Sequence, residues 1–404
     1  MKYLKIAVVA CLFAVAFAPA SAFATGFGIY EQGTQATSMS GAVRAGPTDA
    51  STIFYNPAGM TVLPGVNIQL TGTMYIPTAN FTPVGGAKES ANSWIQVVPA
   101  AFVTWKVNPW LSLGIGEFTG FGLGIDWGDN FSGRVNAIKS QLQSFNIQPS
   151  IAFGPFKGFS IGAGFDAVLG TVDIKQGFNF GSGNQYYSEL GGNAYGFGGN
   201  VGILYQPLDW MSLAATYRSR VNMKMDSGNI HFNVPTPFQQ VMPPDQQIST
   251  NMWLPDVIGV GVKFNPVKAL TLELDYNYYT WMLYNTVTIT GKQSGVITTL
   301  VNQWMNAFDF RLGASYRYKD WKFGAGVGYD STPVPSNTCS PMLPDNNRIY
   351  WSVGASYYFW KMHVDLAYMM VNVLGRNITN SINSPSGYYS EMVNNISLGV
   401  GFSL

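Results

Sequence analysis

Charge is scarce in this chain: Asp, Glu, Lys and Arg make up 11% of its 404 residues, against about a quarter in an ordinary soluble protein. That excludes the usual water-facing surface of a soluble enzyme. Long apolar runs are missing after the first two dozen residues, so the remainder offers no stretch of about 20 apolar residues for a membrane-crossing helix. Cysteine is limited to Cys11 and Cys339, and histidine to His231 and His363. With Cys11 in the leader described below, no intramolecular disulfide can form, and Cys339 reads as an incidental loop thiol. His363 and Asp365 share a strand face, but no serine is singled out to complete a hydrolase triad, so His363 reads as a hydrogen-bonding side chain. A net charge of +1 gives nothing for nucleic acid to bind.

Aromatic residues are plentiful, at 15%. Lys2 and Lys5 make a basic start, residues 6–18 are apolar, and Ala20-Ser21-Ala22 and Ala22-Phe23-Ala24 are overlapping small-x-small sites. Residues 1–24 are therefore expected to be a secretory signal peptide, cut after Ala24 in preference to Ala22. At the other end Ile396, Leu398, Val400, Phe402 and Leu404 alternate with Ser397, Gly399, Gly401 and Ser403. A strict period of two ending the chain points to a strand that closes a transmembrane β-barrel. Low charge without a hydrophobic helix agrees, because only a helix or a closed barrel satisfies the backbone in lipid.

Turn spacing gives the strand count. Tight turns are expected at Asn108-Pro109, near 155–158 and 207–209, at Asn265-Pro266, at Lys319-Asp320 and at Trp360-Lys361. Longer Gly- and Pro-rich loops are expected near 77–93, 124–140, 177–192, 227–249, 285–301, 331–347 and 375–390. Six short and seven long connections join about 14 antiparallel strands, with both ends in the periplasm of a bacterial outer membrane. In the first strand Val66, Ile68, Leu70 and Met74 face lipid, while Asn67, Gln69, Thr71, Thr73 and Tyr75 face the lumen. The same parity puts Arg218, Arg220, Glu273, Asp275, Arg311, His363 and Asp365 inside. Continuing it from Leu111 aims Glu117 at lipid, so the strand is expected to bulge or kink within Gly116-Glu117-Phe118-Thr119-Gly120-Phe121-Gly122. Residues 25–64 do not alternate and are too apolar for a tail, which fits a plug in the lumen of a barrel over 65–404. Gly162-Ala163-Gly164-Phe165 lies within an alternating strand and lacks a following Lys-Ser or Lys-Thr, so it is no phosphate loop; no cofactor or metal is expected.

Several segments together resemble the FadL-type outer-membrane channels for long-chain fatty acids and other hydrophobic compounds. They are Gly26-Phe27, Asp49-Ala50, Asn56-Pro57-Ala58, Phe131-Ser132-Gly133-Arg134, Leu254-Pro255-Asp256, the run 329–335 and the run 343–348. The resemblance implies a 14-stranded monomer with an N-terminal hatch, which Asn56, Pro57 and Ala58 help to seat. It also implies a kinked third strand, here Gly116, Glu117, Gly120 and Gly122, that opens the wall sideways. Longer members bind ligand first in a groove between two large outer loops; here the third loop is short. The implied function is passive uptake of fatty acids or similar hydrophobic molecules into the outer-membrane lipid, after insertion by the barrel-assembly machinery. Neutral aromatic or aliphatic hydrocarbons are the alternative cargo, and a general porin or an outer-membrane lipase the rival classes. Lumenal parity nominates Val168, Val172 and Ile174 for the pocket, with Phe118, Phe121 and Leu123 beside the kink. The resemblance adds Phe27 at the hatch tip, and Lys175 and Arg311 for a carboxylate.

Overall fold

Alternating side chains and regularly spaced turns fold this chain into a closed barrel of 14 antiparallel strands. The computed structural model describes residues 26–93, 95–180 and 185–404; the expected signal peptide lies outside the described residues. The first six strands are β1 (Val66–Pro83), β2 (Gln96–Asn108), β3 (Leu111–Phe118 with Gly122–Asp126), β4 (Lys139–Phe156), β5 (Phe159–Gly177) and β6 (Tyr187–Leu208). The next four strands are interrupted as β3 is, beginning with β7 (Met211–Arg218 with Val221–Asn233) and β8 (Gln246–Leu254 with Val257–Val267). Next come β9 (Leu270–Tyr279 with Thr286–Gly291) and β10 (Gly295–Val301 with Ala307–Tyr318), both also broken. The last four are β11 (Trp321–Asp330), β12 (Arg348–Phe359), β13 (Met362–Ile378) and β14 (Gly387–Ser403). Pairing from Asn67↔Ser403 to Pro83↔Gly387 joins β14 to β1 and leaves no open edge there. No helix among the described residues is long and apolar enough to cross a membrane.

The period-two pattern sorts side chains between lipid and lumen. On β1, Asn67, Gln69, Thr71, Thr73 and Tyr75 are all buried, and the residues between them are more open. Trp105, Trp110, Trp210, Trp321 and Trp360 stand exposed near the tight turns, as an aromatic girdle does at a membrane interface.

Four local expectations need correction. Asn265-Pro266 is a bulge rather than the turn, which follows at residues 268–269; proline, lacking an N–H, is tolerated in a bulge, and Asn265 Nδ2 bonds the Leu270 carbonyl at 3.1 Å. Residues 285–301 form the upper pieces of β9 and β10, paired from Thr286↔Val301 to Gly291↔Gly295, because Thr and Val alternation outweighs the polar composition. Arg220 is not lumenal. The interruption after Arg218 shifts the parity, leaving Arg218 ion-paired with Asp166 inside and the Arg220 side chain 50% exposed. Finally, Glu117 keeps its outward parity, half-buried and in register with Ala101 and Ile147; the ladder breaks only after Phe118.

Residues 26–63 lie inside this wall as short helices, α1 (Thr34–Ser38) and α2 (Thr52–Tyr55), and a 3-10 helix, Pro57–Val62. Their polar groups bond to strands around the circumference: Thr34 to Ser397, Gln35 to Asp365, Ser40 to Ser352, and the amides of Val43 and Arg44 to Asp275. Asn56 Oδ1 caps the 3-10 helix through the Ala58 amide at 3.1 Å, while its Nδ2 donates to the Ile203 carbonyl of β6 at 3.1 Å. Pro57 takes the first helical position, where its missing N–H costs nothing. Wall glycines admit this close approach. A Cβ on Gly326 of β11 would come within 2.4 Å of the Met39 backbone. Gly326→Val should therefore dislodge the segment while the barrel closes: heat-modifiability on gels is retained, and protease sensitivity within 26–63 rises.

Candidate functional site: a break in the wall and the cavity above it

The β2–β3 ladder runs from Asn108↔Leu111 to Ala101↔Glu117 and stops, although β2 continues beside β1 to Gln96↔Tyr75. Above the break, Gly122–Asp126 pairs only with β4. Backbone groups freed in lipid must find other partners, and the N-terminal segment supplies them. The Gly120 carbonyl accepts from Ile29 N at 2.9 Å, Gly122 N donates to the Phe27 carbonyl at 2.8 Å, and Gln32 Nε2 donates to the Thr119 carbonyl at 2.5 Å. From β4, Ser144 Oγ accepts from Phe121 N at 2.9 Å and Asn146 Oδ1 from Gly120 N at 3.3 Å. Gly116 and Glu117 sit in the regular ladder below the break, Gly120 within it, and Gly122 where pairing resumes.

Phe27 lies directly inside the break. Its ring contacts Phe121 at 6.0 Å, Trp281 at 4.8 Å, Tyr284 at 5.7 Å and Trp304 at 5.7 Å between centroids. Every one of these partners comes from an interruption in β3, β9 or β10, where the chain leaves its strand and turns an aromatic ring inward. Above Phe27 is a cavity of about 160 Å³, lined by Leu123, Leu142, Val172 and Ile174 on one side. Met223, Met225, Met252, Tyr284, Val287 and Leu300 face them, and Met342 and Leu343 from the loop 331–347 close the top. Its polar lining is neutral: Ser140, Thr250, Thr338 and Ser340 with amides such as Asn136, Gln141, Asn302 and Asn383; no charged side chain lines it among the described residues. A smaller cavity of about 60 Å³ lies against the break, lined by Gly28, Phe118, Gly120, Phe121, Arg44 and Arg218 among others. Thus Phe27, Leu123, Val172 and Ile174 share the upper cavity, Phe118 and Phe121 line the lower one, and Val168 is buried in the apolar core beside them.

Comparison with known proteins now adds to this geometry. Residues 15–398 match the model of the family described as outer membrane protein transport protein (OMPP1/FadL/TodX). The chain belongs to this family. It is 25% identical to the long-chain fatty acid transport protein of Escherichia coli O6:H1, over 86% of each chain. Two solved structures share its fold: a Pseudomonas aeruginosa FadL homologue, with a TM-score of 0.84 at 18% identity over 94% of this chain and 99% of that one, and the Pseudomonas putida toluene transporter TodX, with 0.74 at 16% identity over 94% and 100%. FadL/TodX proteins are outer-membrane transport proteins, which fits the barrel.

Within this FadL/TodX fold, the two basic residues nominated for a carboxylate are engaged elsewhere. Lys175 pairs with Asp129 at 2.9 Å on the loop side and stands 4.4 Å over the Tyr187 ring. Arg311 is buried: Nε and Nη2 each bond the Asp309 carboxylate at 3.1 Å, Nη1 bonds the Ser40 carbonyl at 3.0 Å, and its guanidinium lies 3.8 Å from the Tyr30 ring centre. It ties wall to N-terminal segment. Asn56, Pro57 and Ala58 also act there, well away from the cavity, with Asn56 and Pro57 seated on Gly202. Cys339 is fully buried, and burial pushes its thiol up to about 12, so it is chemically quiet.

Sequence reasoning missed the methionines and the Trp281, Tyr284 and Trp304 cluster. Met223 and Met225 do alternate on β7, a signal that a face-by-face reading can find. The tryptophans lie in segments that look like loops.

Removing Arg311 leaves Asp309 buried without its counter-charge, a loss of about 3–5 kcal/mol. Arg311→Met should lower the unfolding temperature sharply. Lys175→Met removes a partly exposed pair worth about 0–1 kcal/mol and should leave that temperature nearly unchanged.

Proposed function

We propose that this chain takes up small hydrophobic molecules, neutral ones foremost, passively across the bacterial outer membrane. The observation that carries the reading is the apolar cavity with neutral polar walls beside a break in the barrel. Burial there contributes about 25 cal/mol per Å² of apolar ligand surface, whereas a carboxylate finds no counter-charge in its walls. Long-chain fatty acids are the second reading, favoured by similarity to the Escherichia coli protein; their head group would rest on the amides and hydroxyls at the rim.

In this scheme residues 25–64 are a hatch that denies ions the lumen, both termini and the tight turns are periplasmic, and the long loops face outward. Cargo passes from the loops to the cavity, then past Phe27 and the smaller cavity to the gap between β2 and β3. It leaves sideways into lipid, downhill in free energy without nucleotide or ion gradient. A monomer suffices, since one barrel contains the whole route; the barrel-assembly machinery inserts it.

Binding and transport each test this reading. In competition binding in detergent, a neutral hydrocarbon should compete at least as well as the carboxylate of equal chain length, and Val172→Asp should abolish binding of both by placing an unpaired charge in the wall. Stronger binding of the carboxylate, lost in Lys175→Met, would establish the fatty-acid reading instead. In cells and planar bilayers, Gly120→Val with Gly122→Val should stop uptake by a folded barrel, and deletion of the hatch should turn a nearly silent protein into a large steady pore. Large steady conductance of the intact protein would favour a porin.

A further inference from the structure

The wall lapses a second time, between β8 and β9. These strands pair from Val267↔Leu270 up to Val257↔Tyr279, and again only at Ser249↔Thr290 and Ile248↔Gly291. Over the gap β8 keeps its ladder to β7, from Val221↔Leu254 to Met225↔Thr250, so it is β9 that departs. A single 3-10 turn, Trp281–Leu283, occupies the space. Both rims line the apolar cavity, Met252 from β8 and Tyr284 with Val287 from β9. Trp253 and Met282 face outward, 37% and 59% exposed. One turn of chain is all that separates cavity from outer surface. Because strands of about 9–11 residues cross the membrane, residues 250–256, beyond that distance from the turn at 268–269, place the seam at the loop-side margin of the lipid.

The turn is fastened unequally. Toward β10 the backbone holds it: Asn302 N and Gln303 N donate to the Asn285 carbonyl at 2.8 and 3.0 Å, and Asn306 Oδ1 accepts from Met282 N at 3.2 Å. Toward β8 the fastening is Asp256, which is buried. Its carboxylate accepts from Thr280 Oγ1 at 3.0 Å, its amide donates back to Thr280 Oγ1 at 2.9 Å, and its carbonyl accepts from Thr280 N at 3.1 Å. Tyr217 Oη donates to the same carboxylate at 2.6 Å and Arg220 Nε pairs with it at 3.1 Å, so Asp256 stitches three interrupted strands. Farther up, Thr250 Oγ1 reaches the Thr288 carbonyl at 2.8 Å. The Trp281 indole N–H has no acceptor among the described residues although the ring is 1% exposed, an uncompensated donor that weakens the closed turn.

We propose that the β8–β9 seam is a second side passage, through which lipid-dissolved hydrophobic molecules reach the cavity, closed by the turn Trp281–Leu283 and latched by Asp256 through Thr280. It rests on the reading of the cavity as the ligand site. Asp256 is a positioning residue, with no contact to cargo.

The test follows diphenylhexatriene in nanodiscs by energy transfer from the protein's tryptophans. Thr280→Val removes the side-chain bonds to Asp256 and keeps every cavity residue; Asp256→Asn is the second variant, removing the Arg220 ion pair. Unlatching should speed association and dissociation together, by roughly fivefold for each hydrogen bond lost, with Kd unchanged. The same acceleration should persist when Gly120→Val and Gly122→Val close the β3 side. Unchanged rates in folded Thr280→Val and Asp256→Asn overturn the passage, as does faster dissociation with weakened binding, or acceleration that disappears when the β3 side is closed. Failure of the wild type to bind the probe removes the cavity reading itself, and the passage with it.

Discussion

Backbone N–H and C=O groups that meet lipid must be bonded by protein, and the rest of the structure follows from that constraint. Closure of β14 onto β1 satisfies it for most of the wall. The exceptions are instructive. Where β3 leaves β2, the freed groups of residues 119–122 are taken up by Phe27, Ile29 and Gln32 from inside and by Ser144 and Asn146 from β4. The N-terminal segment is therefore part of the wall's hydrogen bonding as well as a filling of the lumen, and its position is coupled to the shape of the break.

The lumen divides by chemistry along its length. Toward the tight turns, buried charges and amides bind the segment to the strands: Arg311 with the Ser40 carbonyl, the Arg44 amide with Asp275, and Gln35 with Asp365. Each charge is met by several donors or acceptors, which is how ionic groups persist away from water. Toward the loops the lining turns to methionine, leucine and aromatic rings around neutral polar groups. Methionine adapts its shape readily, so a wall rich in it is deformable. Phe27 stands at the boundary between the two zones.

Strand interruptions do the rest. A regular strand can only send a side chain straight in or straight out, whereas Phe121, Trp281, Tyr284 and Trp304 converge on one ring because each comes from a place where β3, β9 or β10 leaves its ladder. The same departures open the gaps in the wall. Irregularity thus shapes the cavity and the gaps in the wall together, and the Asp256 carboxylate of β8 bonds the two neighbouring broken strands, β7 and β9.

Strand number, the sense of each face, and the closing strand were legible in the sequence, because a period of two and short turn signals are local properties that survive without knowledge of neighbours. Leu123, Val172 and Ile174 were legible as inward residues for the same reason. The resemblance in order of Gly26-Phe27, Asn56-Pro57-Ala58 and Leu254-Pro255-Asp256 carried the family. Arg220 was misplaced because the break at Ser219 and Arg220 shifts the alternation by one, so that Val221, Met223 and Met225 are the buried positions just beyond it, and the sequence around Ser219 has no turn signal. Arg311 and Lys175 looked alike, two cations on strands. Only tertiary structure decided that one is spent on Ser40 as well as on Asp309 two residues away, and the other on Asp129, since Ser40 and Asp129 are brought to these cations by the path of the N-terminal segment and of a distant loop. The cavity's neutrality was decided in the same way: it is a property of residues from many strands and a loop, brought to one surface by barrel closure.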